Sequence, residues 1–280
     1  MDPSGELSGV DRINARAGRN VFAATAVGIG LLGLVIVLTW WLQWGLVAFI
    51  ALVAIMAIAE LRRAFTSQQI DLILLPLYAA AIAMPVCAFV YGLQGMVVAY
   101  AISVVSIFGW RMVRGNHGFV RDVSANIFIL AYVPMLISFV PLLLAQQDGA
   151  KRISVFILLN VASDTGGYFA GVLAGKHPMA PRISPKKTWE GLAGSLIIAA
   201  ALGSWLMSLW LNQPWWKGIL VGVVLAVVAT YGDLSESLIK RDLGVKDMSD
   251  ALPGHGGVMD RLDSILPNAF VAWLLLAVLI

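Results

Sequence analysis

The chain has 280 residues, 60% of them hydrophobic and only 12% charged, with a net charge of +3 and a single cysteine, Cys87. Soluble domains carry about 25% charged residues, so this composition excludes a water-soluble globular domain. It also excludes an intrachain disulfide, and so small a net charge argues against a nucleic-acid-binding surface.

Residues 1–19 form a polar leader with Asp2, Glu6 and Asp11 beside Arg12, Arg16 and Arg19. No small-residue cleavage site follows the apolar run from Val21 to Leu38, so that run reads as a first membrane helix rather than a cleaved signal. Apolar runs of the length that crosses a bilayer, about 20 residues, recur to the end of the chain. Spans are predicted at 20–40, 43–60, 71–91, 93–110, 124–145, 153–174, 190–211, 215–232 and 264–280. The alternating ten-residue pattern of a membrane β-barrel is absent. The expected fold is all-α: a polytopic integral membrane protein of about nine transmembrane helices forming one domain over 1–280. Within it, 1–150 supplies N-terminal membrane helices, and 151–280 supplies helices with charged loops at 175–189 and 233–263.

Placing the N-terminus in the cytoplasm leaves Lys151, Arg152 and Lys217 outside and the other sixteen of the 19 Lys and Arg inside. Cytoplasmic loops are enriched in Lys and Arg, so this split predicts N-inside and C-outside. Trp40, Trp41, Trp44, Trp215 and Trp216 fall at span ends, where indole rings anchor at the interface.

Three polar constellations interrupt the hydrocarbon. The first, Asn160-Val-Ala-Ser-Asp-Thr-Gly-Gly-Tyr168, lies inside the sixth span. Asn160, Asp164 and Tyr168 share a helix face, and a carboxylate at that depth marks either a functional site or a structural hydrogen-bond cluster. Gly167, Gly171 and Gly175 repeat every four residues and predict close helix packing.

The second, Ile183-Ser-Pro-Lys-Lys-Thr-Trp-Glu-Gly191, places Ser184, Lys186, Lys187 and Thr188 just before a span. Two ammonium groups and two hydroxyls beside a helix start suit an anion, although the glycines of a Walker A loop are missing and a plain topological anchor is the alternative. The third runs from Gly232 to Asp263. If the eighth helix continues past the membrane, Asp233, Glu236, Ser237 and Lys240 fall on one face, and Asp260 and Asp263 share a face where the last helix begins. Carboxylates mixed with basic groups suit a divalent metal that holds phosphates.

Together these segments resemble the phosphatidate cytidylyltransferase (CDP-diacylglycerol synthase) family. The resemblance rests on Ser237-Leu-Ile-Lys-Arg241, Lys246-Asp247, Leu252-Pro-Gly-His-Gly-Gly257 and Asp260-Arg-Leu-Asp263, with Ser163-Asp-Thr-Gly-Gly-Tyr-Phe169 and Ser184-Pro-Lys-Lys-Thr-Trp-Glu-Gly191 in the family order. It is firm over about 160–265 and extends over the first 150 residues only as hydrophobic character and span count. Met248-Ser249-Asp250 departs from the family pattern, and no role is assigned to Asp250.

The resemblance implies that CTP and phosphatidic acid give CDP-diacylglycerol and pyrophosphate with Mg²⁺, in a bacterial inner membrane with the site facing the cytoplasm. On this reading Asp233 and Asp260 are the metal ligands. Asp247, Asp263 and Asp164 are further catalytic or orienting carboxylates. Lys186, Lys187, Lys240 and Arg241 hold the triphosphate or the lipid phosphate, Ser184 and Thr188 hydrogen-bond substrate, and His255 is a phosphate donor, an acid/base or only a turn residue. The partners expected are CTP, phosphatidic acid and the bilayer, not nucleic acid, with a homodimer left open. The alternatives are a cytidylyltransferase or CTP-dependent kinase for a polyprenol or ether lipid, and an ion-coupled transporter built around Asp164.

Overall fold

A computed structural model of the protein describes residues 21–245, 248–249 and 257–280. Among these residues seven helices are long and apolar enough to cross a membrane, and a shorter apolar stretch, Gly28–Trp41, belongs to an eighth helix. In chain order the helices begin with α1 (Val21–Trp41), α2 (Gln43–Ser67) and α3 (Leu74–Met112). α4 (Phe119–Leu130) runs through a π-turn at Ala131–Met135 into α5 (Phe139–Leu144). α6 (Gly149–Ala174) follows, then a hairpin of β1 (Pro178–Ala180) and β2 (Ser184–Thr188). The chain closes with α7 (Trp189–Leu211), α8 (Trp215–Asp242), the single turn α9 (Met259–Leu262) and α10 (Ile265–Leu279).

α3 has 39 residues. At 1.5 Å per residue it would be about 58 Å long, nearly twice the ~30 Å hydrocarbon layer. Gly92 breaks it, with φ 65° and ψ −155°, a conformation open to a residue without a Cβ. The two arms fall at the third and fourth predicted segments, so among the described residues helix is found at each of the nine predicted positions, while seven helices are long and apolar enough to span. Their ends differ from expectation where polar residues extend a helix: α2 runs on to Ser67 rather than 60, and α8 to Asp242 rather than 232. The π-turn in the fifth span falls at Pro134, which has no N–H to donate to the helical ladder.

The all-α expectation holds for the membrane part, but the 175–189 loop contains the antiparallel hairpin, pairing Pro178 with Thr188 and Ala180 with Ser184. The Thr188 side chain accepts a hydrogen bond from Gly191 N (3.1 Å), capping α7 and fixing the angle between strand and helix.

The predicted small-residue contact lies between α6 and α7. A Cβ on Gly166 would sit 2.8 Å from Gly194 O, and one on Gly167 2.5 Å from Ser195 Oγ. The two backbones therefore touch, and Ser195 Oγ donates to Ser163 O (2.7 Å) across the contact. Asn160 is used structurally as well. Its Oδ1 accepts from Asn268 Nδ2 (2.7 Å), tying α6 to α10 inside the apolar core.

The ends of the bundle differ. At one end Arg152 Nη1 donates to Leu276 O (2.7 Å) and Lys217 Nζ to Leu279 O (2.5 Å), so two of the three cations expected outside bond the last turns of α10. The hairpin, the C-terminal end of α8 and the start of α9 gather at the opposite end.

Candidate active site

A cavity of about 840 Å³ opens between α1, α2, α6, the hairpin, α8 and the α9–α10 segment. Its lining grades from apolar to polar along α6 and α8. On α6 it passes from Phe156 and Ile157 to Asp164, and on α8 from Ala229 to Asp233, Glu236, Ser237 and Lys240. Lys186, Lys187 and Thr188 from the hairpin, and Asp260, Arg261 and Asp263 from the last segment, complete the polar part. The apolar part comes largely from α1 and α2, through side chains such as Leu31, Val35, Phe49, Ile50 and Val53.

α8 presents its polar face because it remains helical past Gly232, which brings residues spaced three and four apart onto one stripe. Gly232 itself permits the close approach of α10: a Cβ there would lie 2.8 Å from Pro267 Cγ. This approach sets Asp263 facing Asp233 and Glu236. Asp263 Oδ1 accepts from Ser264 N (2.6 Å).

Basic groups interleave with these acids. Lys187 is ion-paired with Asp233. Lys240 Nζ contacts both Glu236 (2.5 Å) and Asp260 Oδ1 (2.9 Å). Asp260 Oδ2 accepts from Gly257 N (2.8 Å) and Met248 N (3.4 Å). Asp164 borders the cavity with Asp233, Lys187 and Arg261 as its charged neighbours. Lys186 is exposed and makes no ion pair among the described residues, leaving a full positive charge for an anion.

The donor set at this end is oxygen and nitrogen of opposite charge, with no thiolate. Glu236 Oε1 is buried without a hydrogen-bond partner. Among the described residues no three His, Cys, Asp or Glu side chains converge tightly enough to enclose a metal ion alone. That arrangement fits a hard cation held by one or two carboxylates and completed by water and substrate phosphates, and fits poorly an all-protein cage.

The structure brings Asp164, Lys186, Lys187, Thr188, Asp233, Lys240, Asp260 and Asp263 to one cavity. Ser184 and Arg241 do not line it. Arg241 Nε donates to Ile183 O (2.9 Å), which fastens the hairpin turn to α8. Asp247 and His255 lie outside the described residues. Two acids that were assigned no role from the sequence are buried here: Glu236, 1% exposed, which lines the cavity on the anticipated face of α8, and Glu60 of α2, 5% exposed, which lies outside its lining. Glu60 falls in register with the buried stripe Leu46, Ile50, Ala54, Ala57, Leu61 and Ala64. A carboxylate at a core position of an amphipathic pattern is the signal that could have found it.

The sequence model of the cytidylyltransferase family matches residues 22–279. The chain is 38% identical to a phosphatidate cytidylyltransferase of Mycobacterium leprae (strain TN), over 94% of this chain and 90% of the relative. It is 36% identical to one of Mycobacterium bovis, over 95% and 91%. A phosphatidate cytidylyltransferase of Helicobacter pylori (strain ATCC 700392 / 26695) shares 43% identity over a shorter stretch, 44% of this chain and 46% of the relative.

Proposed function

The chain belongs to the cytidylyltransferase family, and from that premise we propose that it transfers the cytidylyl group of CTP to phosphatidic acid, giving CDP-diacylglycerol and pyrophosphate. The observation that carries the proposal is the graded cavity. An acidic and basic end that suits phosphates is continuous with an apolar end that suits acyl chains. A soluble nucleotide needs only the first, and a lipid phosphate needs both.

In the reaction a phosphate oxygen of phosphatidic acid attacks the α-phosphorus of CTP. The new P–O bond forms as the bond from that phosphorus to the bridging oxygen breaks, and its electrons leave on pyrophosphate. The nucleophile is already ionised near neutral pH, so the protein need not remove a proton. Its task is to bring two polyanions together and to hold them in line. Lys186 and Lys187 hold the triphosphate at the hairpin. Lys240 supports Asp260 and Glu236 and adds positive charge between the two phosphates. Asp263 and Asp164 orient the other groups of the polar end, and Thr188 holds the α7 start that presents the lysines.

Asp233 and Asp260 would hold Mg²⁺, with the remaining positions filled by substrate oxygens and water. When bound, the ion supplies charge neutralisation at the phosphates and polarises the phosphoryl group. Placing the polar end in the cytoplasm of a bacterial inner membrane gives it access to CTP, while the lipid enters sideways and keeps its chains in hydrocarbon.

Protein purified in detergent, given CTP, phosphatidic acid and Mg²⁺, tests the reading. Release of pyrophosphate with formation of CDP-diacylglycerol supports it. Turnover of a polyprenol phosphate or an ether lipid in preference to phosphatidic acid would replace the lipid assignment. Absence of any CTP turnover would return the Asp164 transporter reading.

A further inference from the structure

Glu60 stands apart from the acids that line the cavity. It belongs to α2, in the N-terminal half, and is buried at 5% exposure. Both of its oxygens are occupied by the segment that leads into Asp260. Oε1 accepts from Val258 N (2.8 Å) and from Ser249 Oγ (2.5 Å), and Oε2 accepts from Met259 N (2.8 Å). Among the described residues these three donors are its hydrogen-bond partners, and no cation is ion-paired with it. A carboxylate in that position takes up consecutive backbone N–H groups that the first turn of a helix leaves without partners.

Gly257 sits between the two acids. Its N–H donates to Asp260 Oδ2, while a Cβ on it would lie 2.7 Å from Glu60 Oε2 and 3.0 Å from Asp260 Oδ2. One residue is thus flanked by a carboxylate from α2 and a carboxylate of the cavity. A side chain there would push one or both carboxylates aside. Gln68, the C-cap of α2, donates to Leu243 O (3.1 Å), so the end of the same helix also holds the segment that leaves α8.

We propose that Glu60 is a positioning residue for the transfer: it clamps the Gly257–Met259 turn and so fixes where the Asp260 carboxylate meets the metal ion and the triphosphate. The inference rests on the function proposed above. It gives the N-terminal half a role in the phosphate end of the site, separate from its lining of the apolar end. Hydrogen bonds from outside a coordination sphere commonly set ligand orientation, and their loss costs about 10–100-fold in metal affinity or activity.

Glu60→Gln is the direct test, because it keeps the shape, removes the charge and turns an N–H₂ group toward a backbone donor. Two readouts are needed. The first is hydrogen–deuterium exchange of the peptide covering 257–262 in metal-free protein, where Val258 and Met259 amides are expected to exchange faster than in the wild type. The second is a Mg²⁺ titration of turnover. The expected result is a rise of about tenfold or more in half-saturating Mg²⁺, with KM for phosphatidic acid unchanged. Glu60→Asp, which keeps charge and both oxygens, should recover part of the shift.

Unchanged exchange, or an equal fall in kcat at every Mg²⁺ concentration, would overturn the proposal in favour of a purely structural Glu60. If Glu60→Gln does not purify folded, Gly257→Ala intrudes on the same contact from the other side and is read by the same two measurements. A wild type that makes no CDP-lipid would instead defeat the proposed function, leaving the exchange result to stand alone.

Discussion

Lys187 on β2 is ion-paired with Asp233 on α8, across 46 positions of sequence, with the two side chains 25% and 29% exposed. Partly exposed pairs of this kind are worth little in isolation, about 0–1 kcal/mol, and give way when a more highly charged partner arrives. Lys240 is likewise ion-paired with Glu236 and Asp260, in a more buried setting. On the proposed function, Asp233 occupies Lys187, and Glu236 and Asp260 occupy Lys240, until a phosphate claims the lysines and a cation claims the acids. These five groups are thereby paired in the absence of substrate, and buried unpaired charge is what proteins tolerate least.

Replacing Lys186 and Lys187 together by Ala should raise KM for CTP by about tenfold or more, since charge-assisted hydrogen bonds are worth about 1.5–3 kcal/mol each. KM for phosphatidic acid should move less. Steady-state kinetics on detergent-purified protein decide this, and unchanged CTP kinetics would reduce the pair to membrane anchors.

Asp233→Asn and Asp260→Asn preserve shape and remove negative charge. Each should abolish most turnover while the protein remains monodisperse by size-exclusion chromatography. Asp242→Asn, on the exposed last turn of α8 and away from the cavity, should turn over at close to the normal rate. Near-normal activity of either cavity variant across a Mg²⁺ titration would refute the metal assignment.

The apolar end of the cavity makes a separate prediction. Val53→Trp would fill space between α2 and the cavity, and should raise KM for long-chain phosphatidic acid more than for a short-chain analogue, with KM for CTP unchanged. Equal effects on both lipids would mean that the acyl chains do not lie along α2.

The charge distribution predicts that the C-terminus faces the outside. A C-terminal tag should be cleaved by protease added to intact spheroplasts, whereas a cysteine introduced at Arg241 should resist an impermeant thiol reagent. The reverse pattern would invert the membrane orientation.

Much of this architecture was legible in the sequence because it depends on local patterning. Apolar runs located the membrane helices, and the tight interval between the third and fourth predicted segments marked the break at Gly92 inside α3. The spacing of Asp233, Glu236, Ser237 and Lys240 anticipated the polar stripe of α8, and the repeated glycines anticipated the contact of α6 with α7. What escaped was long-range partnership. Glu60 bonds Val258 across 198 positions, and a helical pattern identifies a buried face without naming what packs there. The β1–β2 hairpin escaped because Ser-Pro-Lys-Lys-Thr has no alternation of apolar and polar residues. Arg241 carried the charge of a phosphate ligand, yet its partner proved to be a backbone carbonyl of the hairpin. The grading of the cavity was not foreseen either, since it arises from joining α1 and α2 to a polar face far away in sequence.

The central claim is that the cytidylyl group, and no other part of CTP, is passed to a lipid phosphate at the polar end of this cavity. Its most direct test gives purified protein phosphatidic acid and Mg²⁺ with CTP radiolabelled either at the α-phosphate or at the γ-phosphate, and follows the label into the organic phase. The account predicts that α-label enters the lipid while γ-label stays in water as pyrophosphate. Label from the γ-position in the lipid would reveal a kinase, and its appearance without α-label would contradict the account.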